Sequence, residues 1–340
     1  MLGGGIFTTQ SKVLPGTYMN FVNASSSGST VSDRGVVAIC LDLGKAEETV
    51  IEVTKSEFET NCKTIFGKEY NSEEMLPLRE IFCHASKVLV YDSDNDHSAG
   101  FLDAIEPYDF NVVCCAVAES SCIDQVKEWR DTSGKKCQVV VYNYTKPDHE
   151  GVINVVSTPT NEGVNANSLI YWVAGAMAGC KINESCTNML YDGELTVNTK
   201  KTQTELQNYI NEGKIAFHNV YGEVRLLEDV NSLTTTTANK GEDFKYNQTI
   251  RVIDQIANDI AKLFNTKYLG RIPNNESGRV SLWADIVAHH RKLEAIGAIE
   301  AFDANSLTVE QGSTKKAVVI NESITVANAM SQLYMTVVIQ

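Results

Sequence analysis

Short runs rich in Val and Ile, separated by helix-like segments, constrain this chain more than any other feature. They are Gly35–Leu41, Thr49–Val53, Val88–Tyr91, Val112–Val117, Gln138–Tyr142 and Val152–Val156. None alternates strictly between apolar and polar residues, and a strand that is apolar on both sides must be covered on both faces. Helices are expected at Ser98–Ile105, Ser120–Asp131 and Asn167–Cys180, with Ser120 or Ser121 capping the second and Asn165 or Asn167 the third. Strand and helix in alternation predict an α/β layer domain over residues 23–200.

The pattern changes after Thr199. Thr204–Asn211 reads as a short helix and Ile215–Leu227 as extended chain, with Val220, Gly222, Val224 and Leu226 on one side. Asn247–Phe264 places Ile253, Ile256, Ile260 and Leu263 on one helical stripe, until Gly270 and Pro273 break it. Gly278–Glu300 repeats the theme with Leu282, Ile286, Leu293 and Ile296, and Ala317–Ile320 is β-like. Residues 201–340 are therefore expected to form a second, α+β domain.

Both ends of the sequence read as arms. At the start, residues 1–22 carry Gly3-Gly4-Gly5, a Pro15-Gly16 bend and the short alternating run Tyr18-Met19-Asn20-Phe21-Val22, followed by a Ser/Gly linker from Ala24 to Thr30. At the other end Leu333, Met335, Val337 and Ile339 alternate with Tyr334, Thr336 and Val338, and no charge protects the run. An apolar strand without an edge partner is an aggregation hazard. It pairs either within its own sheet or, by strand donation, with a neighbouring molecule. If two arms each seek a sheet edge on another copy and the offset does not close into a ring, the product is a helical polymer.

Charge and motifs exclude several classes. The formal net charge of −14 opposes a nucleic-acid coat, and no apolar run approaches the ~20 residues that span a bilayer. Met1-Leu2-Gly3-Gly4-Gly5 lacks a secretion signal, which predicts synthesis in the cytoplasm. The nine cysteines lie mainly in apolar runs without a Cys-x-x-Cys, and read as small buried hydrophobes in a reducing compartment. No Gly-rich phosphate loop and no Gly-x-Ser-x-Gly elbow occurs, so no catalytic residue and no cofactor is expected. Asp92, Asp94 and Asp96, with Asp103 at the twelfth position, imitate a calcium loop. His97 stands where the turn wants Gly, and the run follows a strand, so an acidic strand-to-helix loop is the better reading. Asp148-His149-Glu150, beside Lys146-Pro147, reads as a hydrophilic turn.

Several segments, in order, resemble the contractile tail sheath family. Val173–Asn188 combines an Ala-Gly helix with an Asn-x-Ser-x-Thr-Asn loop, continued by Tyr191-Asp192-Gly193. Val220–Thr235 contains Leu227-Glu228-Asp229-Val230-Asn231-Ser232-Leu233-Thr234, similar to the family's strand and its acid–Val/Ile–Asn–x–Leu–Thr turn. Ser281–Phe302 is similar to its last long helix, and Lys12–Phe21 to the opening of sheaths from Gram-positive phages and clostridial tail-like bacteriocins.

The resemblance implies an outer α/β domain, an inner α+β domain facing a tail tube, and N- and C-terminal arms that complete sheets in adjacent subunits. Tyr18, Phe21, Val22, Leu333, Met335, Val337 and Ile339 would then be donated, with Val220, Val224 and Leu226 on an acceptor strand. The basic run His289-His290-Arg291-Lys292 reads either as a solvated helix face near a C-terminal dipole end or, through Arg291 and Lys292, as a patch for an acidic tube surface. Implied partners are further copies of the chain, the tube protein, the baseplate and the tail terminator, with no nucleic acid and no membrane. Assembly would follow synthesis in a bacterial host, into a phage tail or a tail-like bacteriocin. A cytoplasmic α/β enzyme and another tail or baseplate component are the alternatives.

Overall fold

The structure, a computed structural model, describes residues 33–43, 50–92, 99–116 and 120–339. Its central feature is a seven-stranded sheet of order β2-β3-β1-β4-β5-β6-β7. The strands are β1 (Val36–Leu41), β2 (Val50–Thr54), β3 (Lys87–Asp92), β4 (Val112–Cys114), β5 (Gln138–Tyr142), β6 (Val152–Val155) and β7 (Lys214–Ile215). All neighbours run parallel except β2, which pairs antiparallel with β3.

Two-sided burial explains the Val runs. Val37 and Ile39 of β1, Val88 and Val90 of β3, and Ile153 and Val155 of β6 pack on one face. That face is covered by α1 (Lys55–Phe66), α2 (Leu76–Ile81) and α5 (Leu169–Gly179). Ala38, Leu89, Val113, Val139 and Val141 point the other way, against α3 (Ala99–Ile105) and α4 (Ser120–Glu128). Each side chain that alternation would have left in water finds a second core.

Helix α5 is apolar all round and buried from Leu169 to Ala178. Its glycines have a steric reason: a Cβ on Gly175 would strike the carbonyl oxygen of Ile81, and one on Gly179 that of His84. The helix thus lies directly against the backbone at the end of α2, a distance that no larger residue permits.

Helices α1 and α2 were not expected. Thr54 and Glu57 form a capping box, with the Thr54 amide donating to Glu57 Oε2 at 2.9 Å and the Glu57 amide to Thr54 Oγ1 at 3.4 Å. Gly67, at φ +72°, ends α1. The remaining elements are α6 (Gln203–Asn211), β8 (Phe217–Val220), β9 (Glu223–Leu226), α7 (Asn247–Leu263), α8 (Glu276–Ala295), β10 (Thr308–Gln311) and β11 (Val318–Asn321).

The described residues divide into two compact units, 33–258 with 293–302 and 324–339, and 259–292 with 303–323. The expected break at residue 200 is displaced, because the sheet is not complete until β7. Within the smaller unit, Leu282 and Ile286 of α8 and Leu307 are buried. Tyr268 and Lys267 both bind Asp285, and Trp283 Nε1 donates to the Leu307 carbonyl at 3.1 Å. No helix among the described residues is long and apolar enough to cross a membrane.

Candidate functional site

Two features have no further strand partner among the described residues. The first is the run toward the C-terminus. In the larger unit the Glu300 amide donates to the Thr325 carbonyl at 2.9 Å and the Ala327 amide to the Ala298 carbonyl at 3.1 Å. The Gln248 side chain then grips both sides of the next turn: Nε2 donates to the Ala327 carbonyl at 3.2 Å, and Oε1 accepts from the Ala329 amide at 2.9 Å. Beyond Ala329 the described residues form neither helix nor strand. Large apolar side chains stand in solvent, with Leu333 86%, Met335 75%, Val337 69% and Ile339 91% exposed. Tyr334 and Val338, on the expected opposite side, are equally bare, so neither face is buried in this chain.

The second feature is the β10–β11 hairpin of the smaller unit. Thr308 pairs with Asn321 and Gln311 with Val318 in a sheet of just these two strands. Among the described residues neither outer edge is hydrogen-bonded into a larger sheet. Hollows of about 430 Å³ each flank it, one lined by Val280, Trp283 and Val309, the other by Tyr268, Ile272, Pro273 and Val318. Val280, Ile272 and Val319 are partly open to water. Both hollows also carry polar groups, Glu276, Arg279 and Glu310 in the first and Asn274, Lys315 and Lys316 in the second. A strand edge beside such mixed hollows is suited to take an added strand, the backbone giving affinity and the hollows specificity.

The residues expected to accept an arm are placed differently. Val220 ends β8, and Val224 and Leu226 lie on β9, but Leu226 is fully buried. The Leu226 amide donates to the Met189 carbonyl and its carbonyl accepts from Asn188, while the Val224 carbonyl accepts from Tyr191. With β8 on its other side, β9 has both edges filled. Tyr18, Phe21 and Val22 lie outside the described residues.

The basic run is also split. Arg291 and Lys292 are exposed, but His289 and His290 are buried within the smaller unit. His289 Nε2 lies 2.9 Å from Asp259, and His290 meets Glu322 at 3.1 Å and the Ile286 carbonyl at 3.0 Å. The exposed positive patch is therefore the pair Arg291 and Lys292 alone.

Asp92 and the turn Asp148-His149-Glu150 have partners within the chain. The buried carboxylate of Asp92 accepts from the Leu43 amide at 2.8 Å, which ties β1 to β3; Asp94 and Asp96 lie outside the described residues. Contrary to a hydrophilic turn, His149 and Glu150 are buried. Asp131, His149 and Glu150 converge closely enough to suggest a metal ion, but the Lys240 ammonium already sits 2.8 and 3.0 Å from the Glu150 oxygens. Burial pushes the Glu150 carboxyl up, yet the Lys240 bond and charge, the His149 charge and a backbone hydrogen bond together outweigh it and hold the carboxyl below its usual range. Burial lowers the His149 imidazole against the pull of Glu150. At the same turn Asp148 Oδ1 accepts the amides of Thr234 and Thr235 at 2.7 and 2.9 Å.

Two of the segments that carry the sequence resemblance, Val173–Asn188 and Val220–Thr235, meet in space. Asp229 accepts from the Cys186 amide at 2.9 Å and pairs with the fully buried Arg251 at 2.5 Å. Thr187 closes the joint, its hydroxyl donating to Glu228 and accepting from the Asp229 amide, both at 3.0 Å. Asp192 takes Trp172 Nε1 at 2.8 Å and His84 at 3.0 Å, and Tyr191 donates to Glu80 at 2.8 Å. A loop and a strand some 40 positions apart in sequence are thus one hydrogen-bonded joint. No local signal reveals it, since each residue is an ordinary surface polar type until its partner is known.

Comparison with known proteins agrees with that joint. The family described as phage tail sheath protein central domain matches residues 92–232, and phage tail sheath C-terminal domain matches residues 239–340. The chain belongs to the phage tail sheath family. The sheath protein is 28% identical over 260 residues to phage-like element PBSX protein XkdK of Bacillus subtilis (strain 168), covering 72% of this chain and 56% of that one. It is 27% identical over 232 residues to the tail sheath protein of Clostridium phage phiCD119, covering 66% and 64%. It spans just over half the length of the Bacillus relatives it matches, 56% and 55%. Among solved structures, the sheath tail protein from Desulfitobacterium hafniense superposes with a TM-score of 0.79 at 23% identity, over 94% of this chain and 99% of that one. The helical sheath of the anti-feeding prophage in its contracted state gives 0.67 at 14%, over 97% and 99%. These likenesses establish the fold of the sheath chain.

Proposed function

We propose that this chain is a structural subunit of a contractile tail sheath, polymerising helically around a tail tube and shortening to drive the tube through a cell envelope. The observation that carries the reading is that the chain holds both an unburied apolar run, Leu333–Ile339, and a hairpin that forms a two-stranded sheet among the described residues. Leu333, Met335, Val337 and Ile339 are donated to a neighbour, and the accepting edge is the β10–β11 hairpin rather than β9. Burying four such side chains yields about 6–12 kcal/mol before ordering and association costs, enough for a linkage that survives rearrangement.

In this reading the chain is not an enzyme, and contraction draws on contacts between subunits. Tyr18, Phe21 and Val22 are the second donated arm, and an outer α/β domain surrounds an inner domain that faces the tube. Its partners are other copies, the tube protein, the baseplate and the tail terminator, in a particle assembled in the bacterial cytoplasm. Arg291 and Lys292 offer a positive pair to an acidic tube surface. Electron microscopy of the chain lacking Leu333–Gln340 tests the proposal: folded monomers and no tubes are expected, and long intact tubes would overturn it.

A further inference from the structure

Helix α7 opens with three polar residues in a row, Asn247, Gln248 and Thr249, all of them buried. Buried polar side chains need partners, and these three divide theirs between two directions. Asn247 is tied to the core. Its Oδ1 accepts from Gln138 Nε2 of β5 at 2.9 Å, its Nδ2 donates to the Val230 carbonyl at 2.9 Å, and its amide donates to the Asp229 carbonyl at 3.0 Å. Gln248 and Thr249 are tied to the segment that leads into the apolar run. Gln248 holds the Ala327 carbonyl and the Ala329 amide, and the Thr249 hydroxyl donates to Asn328 Oδ1 at 3.2 Å. A carbonyl and an amide two residues apart are what a residue of a parallel neighbouring strand would engage, so the Gln248 side chain stands in for one peptide group of a strand. An antiparallel bridge between Ile299 and Val326 secures the same segment just before it. After Ala329 the support stops. Met330 is fully exposed, and a hollow of about 640 Å³, lined by Thr187, Glu228, Met330 and Ser331 among others, opens beside it.

We propose that Asn247, Gln248 and Thr249 form the anchor through which tension on the donated run enters the sheet, with Gln248 as its positioning residue. The inference rests on the donation of Leu333–Ile339 proposed above, and adds the place where that run is secured to its own subunit. The path is continuous: from the backbone at 327–329 to Gln248 and Thr249, along the first turn of α7 to Asn247, and from there to Gln138 in β5 and the turn at Asp229 and Val230. Both Gln248 bonds end on one planar amide, so they set the direction of the departing backbone as well as its position. Both must break before the segment can peel. Pull applied beyond Ala329 is therefore resisted at this point, while Met330 and the residues after it turn in open space.

The test compares the full chain with Gln248→Met, which keeps the side-chain length and loses both bonds, and with Gln248→Glu, which keeps the acceptor for the Ala329 amide. In the unassembled chain, hydrogen exchange at the Ala329 amide is expected to quicken about 10-fold in Gln248→Met and to be largely restored in Gln248→Glu, while the urea midpoint of unfolding stays at its wild-type value. Tubes of Gln248→Met are expected to dissolve at a urea concentration about 1 M below wild-type tubes and to fragment sooner under shear; a native chain that forms no tubes would be the stronger form of the same result. Thr249→Val removes the bond to Asn328 alone and is expected to move exchange and tube strength the same way, by less. Unchanged exchange at Ala329, tubes as resistant as the wild type, or an unfolding midpoint that falls in step with the tubes would each overturn the anchor, the last by making Gln248 an ordinary stabilising residue. The chain lacking Leu333–Gln340 is assembled in parallel. Tubes from it would sink donation itself, and the anchor with it; no tubes from it, beside Gln248→Met tubes of wild-type strength, would sink the anchor alone.

Discussion

In the larger unit each central strand meets another strand on either side and helices above and below, so its Val and Ile side chains are spent within the chain. In the smaller unit β10 and β11 pair, among the described residues, only with each other, and the last described residues of the larger unit stand exposed. Both regions carry β-type sequence. On the proposed reading, one is stabilised by folding and the other by association. Stability and assembly should therefore respond to different residues.

Removing Leu333–Gln340 has the largest expected effect and the most one-sided one: tubes vanish, while the urea midpoint of the monomer stays where it was. A shift of that midpoint would mean that the run packs on its own subunit after all. Asp229→Ala is the converse. It strands the fully buried Arg251 and the Cys186 amide, and costs about 3–5 kcal/mol in equilibrium unfolding. Gly175→Ala drives a methyl into the Ile81 carbonyl and costs about 2–3 kcal/mol by the same measurement. Reversing Arg291 and Lys292 to Glu leaves stability within about 0.5 kcal/mol. Tube-templated assembly is expected to fall several-fold at low salt, an effect that vanishes as ionic strength rises.

The smallest effect concerns pH. The folded state holds the His149 imidazole below its unfolded value of 6.5, so the unfolded chain binds the proton more readily. This contribution is complete above the unfolded value and declines as pH falls through it toward the lower folded one. The pH dependence of the unfolding midpoint between pH 7 and 5 should flatten in His149→Asn. An unchanged slope would assign it to other groups.

How much could be read in advance follows the same division. The parallel strands were legible to within a few residues because double burial demands uninterrupted Val and Ile, a signal written locally. Helix α1 was missed although Thr54, Glu57 and Gly67 spell its cap and stop; its inner face rests on just Phe58, Cys62 and Phe66, a sparse stripe. Two-residue β7 is too short to carry a pattern. Leu333–Ile339 was legible as an apolar run without charge, but whether it pairs in its own sheet or with a neighbour was not. Its proposed acceptor did not: β10 reads Thr-Val-Glu-Gln, with one apolar residue, and is defined by pairing with β11. His289 and His290 read as a surface patch because what buries and binds them, Asp259 and Glu322, lies some 30 positions away on either side.

The grip of Gln248 on Ala327 and Ala329 turns the final stretch into a leash of known length. Ten residues from that knot to Ile339 can reach at most about 33–36 Å. With the run donated as proposed, a neighbouring copy tied by this leash could swivel and slide within that radius without letting go, but could not drift beyond it. One glutamine thus marks where a rigid body ends and a permitted stroke begins.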